Sequence, residues 1–257
     1  MASDKKIVLI TGANGGIGLE TVVHLAQSST EYHILLASRS VENGQKALQQ
    51  IKSTHGDSLK SSVSVLQLDV TSRESVLAAK DEIESTYGKL DVLVNNAGIL
   101  LIKPMDILEK LRTTFETNVF GPWFLTETLE PLLKKSAAPL IINVSSDQGS
   151  ITRKLDPSNP GAKTPGEPYR ASKSAFNMMS ACQRYSYKEW GCRVCAFNPG
   201  FCVTNLTGEE TRQFRIDHGA RPASDPAKAM VIVIEGKRDK DFEENGMFDL
   251  DGGFLPW

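Results

Sequence analysis

Residues 169–173 read Tyr-Arg-Ala-Ser-Lys. On a helix, a phenol and an ammonium four positions apart share one face, one turn from each other. Free tyrosine has a pKa of about 10, too high to exchange protons readily at neutral pH. Nearby positive charge favours the phenolate and lowers that value. The pair therefore reads as a proton donor, Tyr169, with a cation, Lys173, placed to tune it. An ordinary helix with an exposed Tyr and Lys has the same spacing, so the pentapeptide alone does not decide.

A second constellation lies near the start of the chain. Thr11–Gly18 read TGANGGIG, directly after the apolar run KIVLIT at 6–11. Gly12, Gly16 and Gly18 permit a tight turn and a close backbone approach to a pyrophosphate. The helix that follows offers free N–H groups and a partial positive charge to that anion. Asn14 and Ile17 belong to the same turn and count with the glycines as candidate cofactor contacts. An NAD site places an acidic residue about 20 positions further on. Here the second apolar run, HILLAS at 33–38, leads instead into Ser38-Arg39. A guanidinium forks well onto a phosphate, so Arg39 with Ser38 is expected to hold a 2′-phosphate and the cofactor to be NADP(H). A solvated surface arginine is the plain alternative. Asp69, followed by Val70, ends the third apolar run, where it either accepts a hydrogen bond from adenine or caps the next helix. The fourth run ends in Asn-Asn-Ala-Gly, with Asn96, Ala97 and Gly98 placed to line the cofactor.

The elements that must position these groups alternate along the chain. Apolar runs at 6–11, 33–38, 63–69, 90–97, 139–146 and 192–200, and a seventh near 246–252, are separated by helix-length amphipathic stretches. Those stretches are 16–27, 42–53, 72–87, 108–133 and 168–190. The pattern predicts an α/β protein with a Rossmann-type, doubly wound parallel sheet of about seven strands and helices on both faces. Residues 1–257 read as one domain, without repeats or linkers. Only 149–168, rich in Pro, Gly, Ser and Lys, reads as a long loop, and such loops are commonly functional.

Bulk composition excludes other classes. Lys plus Arg (29) nearly balance Asp plus Glu (31), so no whole-domain grip on nucleic acid or anionic lipid is expected. The apolar stretch AMVIVI at 229–234 is too short to span a bilayer. The reading is a soluble, cytoplasmic protein with no membrane partner and no metal. Cys192 and Cys195 form a C-x-x-C, but within a strand positions three apart face opposite ways. Buried structural thiols fit this better than a redox pair.

Taken in order, these motifs resemble the short-chain dehydrogenase/reductase family over almost the whole chain. The resemblance implies a catalytic role for Asn118 in FETNVFG, for Ser146 at the end of INVSS (with Ser145 as the alternative), and for Tyr169 and Lys173. It also implies that Tyr169 and Lys173 touch the cofactor, and that Pro199, Gly200, Val203 and Thr204 of NPGFCVT pack on the nicotinamide. Lys173 would bind the ribose hydroxyls, and Asn118 would hold a water linking Lys173 to solvent. Two departures stand out. Residues 147–168 make an unusually wide gap between Ser146 and Tyr169, similar to the insertion of carbonyl reductases. Gly15 stands where many NADP-dependent members carry a basic residue, so the NADP(H) expectation rests on Arg39.

The implied function is NADPH-dependent reduction of a ketone or aldehyde by a monomer or homodimer acting on a small molecule. Ile99, Leu100, Leu101, Phe201 and Leu206, with Asp147 and Gln148, are candidate pocket residues. An NADP(H)-binding regulator or non-redox catalyst on the same fold, and an NAD-dependent alcohol oxidiser, are the competing readings.

Overall fold

A computed structural model describes residues 5–257. Its first half runs β1 (Lys6–Ile10), α1 (Gly16–Ser28), β2 (Tyr32–Ser38), α2 (Val41–His55), β3 (Ser62–Gln67), α3 (Arg73–Tyr87) and β4 (Val92–Asn95). The second half runs α4 (Ile107–Phe115), α5 (Gly121–Leu133), β5 (Leu140–Val144), α6 (Ile151–Leu155), α7 (Glu167–Tyr187), β6 (Arg193–Asn198), α8 (Arg212–Asp217), α9 (Ser224–Ile234), β7 (Met247–Asp249) and β8 (Phe254–Leu255). The sheet order is β3-β2-β1-β4-β5-β6-β7-β8, parallel except for β8. This is a Rossmann-like α/β fold. The expected seventh strand is present, and an eighth of two residues turns back against it.

The strands read as continuous apolar runs because both faces are covered. In β1, Ile7 and Leu9 join a core that includes Val76 and Ile83 of α3 and Leu125 and Leu129 of α5. Val8 and Ile10 join the opposite core, with Val22 of α1 and Met230 of α9. Cys192 and Cys195 divide in the same way between the two cores, as strand alternation predicts. Burial pushes both of these thiols up to about 12. Cys182, by contrast, is exposed. Helix starts follow side-chain caps: Ser40 accepts from Asn43 N–H at the start of α2, and Ser72 accepts from Ser75 N–H at the start of α3.

Three local differences from the sequence reading have physical causes. The stretch 108–133 is not one helix but α4 and α5 joined by a π-helical turn over Glu116–Phe120. Pro122 has no N–H to give to the carbonyl four residues back, that of Asn118. Gly121 N–H bonds instead to the carbonyl of Glu116, five residues back. Residues 149–168 are not bare loop, since Ser150 caps the short α6 and a 3-10 turn follows at Pro160–Lys163. AMVIVI, too short to span a bilayer, is helical and completes α9, which packs on α1.

The reversal of strand order between β1 and β4 opens a crevice at the strand C-termini. Gly18 packs against its floor. A Cβ there would lie 2.6 Å from Asn96 Nδ2 and 2.8 Å from the Gly12 carbonyl oxygen. Gly18→Ala is therefore expected to destabilise by about 1–3 kcal/mol through overpacking. Thermal denaturation would show this as a lower midpoint; an unchanged midpoint would mean that the β1–α1 turn yields easily.

Candidate active site at the strand C-termini

The turn after β1 is shaped by backbone conformation. Gly12 and Gly16 have φ of 62° and 55°, which glycine alone adopts at low cost. A Cβ on Gly12 would sit 3.0 Å from Ala97 Cα. Asn96 and Ala97 fasten the turn from the other side: both backbone N–H groups donate to Thr11 Oγ1 at 2.9 Å, and Asn96 Nδ2 donates to the Thr11 carbonyl at 2.8 Å. No side chain caps the start of α1 at Gly15, and a Cβ on Gly15 would meet nothing within 4 Å. Uncapped N–H groups facing open space suit the pyrophosphate of a dinucleotide.

A cavity of about 850 Å³ extends from this turn in both directions. Its walls include Gly12, Asn14, Gly16, Ile17, Asp69, Val70, Asn96, Ala97 and Gly98, then Tyr169, Lys173, Pro199 and Thr204. Gly18, Ser38, Gly200 and Val203 are not on its surface. Ser38 is buried and its hydroxyl donates to the Ser40 carbonyl at 2.8 Å. Arg39 does face the cavity, joined by Asn43 and Lys46 of α2. Those two were missed in sequence, although they stand three apart near the start of an amphipathic helix. Asp69 leaves the capping of α3 to Ser72; its own carboxylate accepts from Thr71 N–H and hydroxyl at 3.0 and 2.7 Å.

At the other end the chemical groups converge. Tyr169 and Lys173 sit buried on one face of α7, the Lys173 ammonium 5.8 Å from the Tyr169 ring centre. Lys173 Nζ donates to the Val144 carbonyl at 2.8 Å. Of the two serines after β5, Ser145 donates to Asn177, and Ser146 stands beside the Tyr169 hydroxyl, favouring its ionised form. Ser145 lies on the cavity surface and Ser146 does not. Asn118, in the π turn, accepts from Ile99 N–H at 2.8 Å and donates to the Ile99 carbonyl at 2.9 Å and to Ser172 Oγ at 3.1 Å. Its amide thus pins the segment after β4 to α7.

Two further devices hold α7. Asn95 donates to Thr126 and Asn143, and Asn143 donates to Ser180 and Gln183, a buried polar chain from α5 through β4 and β5 to α7. On the insertion side, Arg170 donates to the carbonyls of Gln148, Gly161 and Thr164. A Cβ on Gly149 would lie 2.6 Å from the Lys173 carbonyl carbon, so the insertion packs directly against α7 at Lys173. Among the expected pocket residues, Ile99, Leu101 and Leu206 line the cavity, whereas Leu100, Phe201, Asp147 and Gln148 do not.

Electrostatics differ from the simple expectation for the Tyr–Lys pair. Burial pushes Tyr169 up to about 12, with the Asp147 carboxylate adding to the rise; Ser146 and the Arg215 guanidinium oppose it. Burial also pushes Lys173 down to about 7. Tyr169 therefore holds its proton at neutral pH, and Lys173 is poised between charged and neutral.

A parallel sheet with a glycine turn at its switch point and a Tyr-Lys pair at the strand ends defines a nucleotide-binding oxidoreductase. The family profile for short chain dehydrogenase matches residues 6–214, and the chain belongs to that family. The chain is 40% identical over 227 residues to the short-chain dehydrogenase anuI of Penicillium roqueforti, covering 86% of this chain and 88% of that one. It is 34% identical over 254 residues to the short-chain dehydrogenase/reductase tropE of Talaromyces stipitatus, covering 93% and 94%. Among solved structures, the NADPH-bound carbonyl reductase from chicken fatty liver superposes with a TM-score of 0.78 at 27% identity, over 100% of both chains. No helix among the described residues is long and apolar enough to cross a membrane.

Proposed function

We propose that the chain, as one NADP(H)-binding unit, reduces a ketone or aldehyde to an alcohol with NADPH. Tyr169 and Lys173 line the dinucleotide-sized cavity, with Ser146 beside the Tyr169 hydroxyl and Asn118 held behind Ile99, and this convergence carries the reading. When bound, the cofactor supplies a hydride to the carbonyl carbon. Tyr169 gives its hydroxyl proton to the carbonyl oxygen, completing the alcohol, and is reprotonated from solvent. A tyrosine held protonated at neutral pH rests in the form that can donate. Ser146 donates to the carbonyl oxygen as negative charge builds on it. Lys173 would bind the nicotinamide ribose, and its charge, when present, would help Tyr169 release the proton. Asn118 acts as a positioning residue, holding Ile99 against Ser172. The NADPH-bound state of the chicken carbonyl reductase supports the choice of cofactor.

Arg39, Asn43 and Lys46 line the cavity together and would hold a 2′-phosphate. NADPH oxidation against a panel of ketones, quinones and aldehydes, with NADH in parallel, tests the function. Arg39→Ala is expected to lower kcat/KM for NADPH by about 10–100-fold, the loss of a charge-assisted contact, and to change NADH use little. Equal losses with both cofactors would remove the 2′-phosphate assignment, and tight NADPH binding without turnover on any carbonyl would favour a non-redox role.

A further inference from the structure

Arg215 is the buried cation that the proposed reaction leaves unexplained. It lies on α8, beyond the Pro199-Gly200 segment, and is only 7% exposed. Nη1 donates to the Cys202 carbonyl at 3.0 Å, and Nε and Nη2 share Thr207 Oγ1 at 3.3 and 3.1 Å. The guanidinium carbon stands 5.4 Å from the centre of the Phe201 ring. These partners bracket Thr204, Asn205 and Leu206, which line the cavity. Arg215 thus packs against this part of the cavity wall without itself lining the cavity.

All of its contacts are neutral. A guanidinium carries five N–H groups, and the three bonds leave two without a partner among the described residues. No carboxylate pairs with it there either. Asp147 is paired with Arg153 at 3.6 Å, Glu210 with Lys103 at 3.1 Å, and Glu209 accepts from Asn205 at 3.4 Å. Burying a guanidinium without an anion is costly. Arg170 is buried on neutral carbonyls in the same way, so what sets Arg215 apart is its place beside the cavity wall formed by Thr204, Asn205 and Leu206. Its field reaches the reacting group, since it opposes the rise in the Tyr169 pKa.

We propose that Arg215 recognises an anionic group on the substrate, and that the carbonyl compound this chain reduces carries an ionised carboxylate on an apolar skeleton. This deepens the reductase reading and rests on it. The carboxylate takes the two remaining N–H groups in a forked pair. The side chains of Ile99, Leu101 and Leu206 cover the apolar part.

The test compares 4-acetylbenzoate with its methyl ester, which share the ketone and ring and differ in charge. NADPH oxidation and calorimetric binding to the NADP⁺-loaded protein are measured for wild type, Arg215→Met and Arg215→Lys. Wild type is expected to favour the acid by about tenfold or more in kcat/KM, mainly through KM, and in affinity. The acid-to-ester ratio falls to near one in Arg215→Met and is partly kept in Arg215→Lys. Equal handling of acid and ester by wild type overturns the proposal, whatever the variants do. A ratio that Arg215→Met leaves unchanged also overturns it and assigns the residue to bracing. Arg215-dependent binding of the acid without turnover upholds the anion site while removing the reductase reading. Reduction of other carbonyls with no preference for the acid does the reverse.

Discussion

Tyr169→Phe is expected to lower kcat for carbonyl reduction by about 10²–10⁴-fold, the usual worth of a positioned proton donor. NADPH affinity should change by no more than about twofold, because the ring stays in its place on α7 and only the hydroxyl is lost. Steady-state rates and a fluorescence titration with NADPH separate the two effects. The size of the loss follows from the surroundings. The hydroxyl is buried, stands beside Ser146 and keeps its proton up to about pH 12. No other described side chain at the site combines a proton to give at neutral pH with that position. Retained turnover in the variant would mean that water or another group delivers the proton, and the assignment of Tyr169 would fall.

Lys173→Met should separate stability from activity. Burial holds the ammonium down to about 7, against an ordinary value of 10.5 in the unfolded chain. Between those values the unfolded chain binds the additional proton, so wild-type stability rises as pH climbs from 7 towards 10.5. Below 7 the full cost of burying the charge is present. Methionine keeps the length and removes the charge, but leaves the Val144 carbonyl without its donor. The net gain at pH 7 is on the order of 2 kcal/mol, or roughly 4–8 °C in the unfolding midpoint for a chain of this size. Near pH 10, where wild type has shed most of that cost, the gain should vanish and give way to a small loss from the missing bond to Val144. Turnover should fall by about a hundredfold or more, as expected when a charge aimed at the transition state is removed. Unfolding curves at pH 7 and pH 10 check the first part. A variant less stable than wild type at pH 7 would show that the bond to Val144 outweighs the buried charge.

The parts of the site that were legible in sequence are those where chemistry or backbone geometry leaves few residue types. Tyr169 and Lys173 need a phenol and a cation one helical turn apart. Gly12 and Gly16 need positive φ, and Gly18 needs the absence of a Cβ. The alternating apolar runs gave the sheet because strands buried on both faces have little choice of residue. Other features depend on tertiary contacts. Ser38 looked like a phosphate ligand, but its hydroxyl turns inward to the Ser40 carbonyl. Arg215 stands in no periodic pattern; its burial comes from the fold of the 201–207 segment over it. The interruption between α4 and α5 did have a signal, since Pro122 sits inside a stretch read as one helix.

That interruption also fixes how long the chain can be at this point. A π turn holds one residue more than an α turn, so α5 is rotated by about 100° relative to a continuation of α4. The surplus residue lies in the turn that carries Asn118. Deleting one residue between Glu116 and Phe120 would allow an unbroken α-helical winding up to Pro122. It would also swing either the Asn118 amide away from Ile99 and Ser172 or the apolar face of α5 away from the sheet. Length is therefore as constrained as residue type across these five positions. The segment between β4 and α4, whose residues 102–106 are exposed, carries no such phase and can absorb insertions.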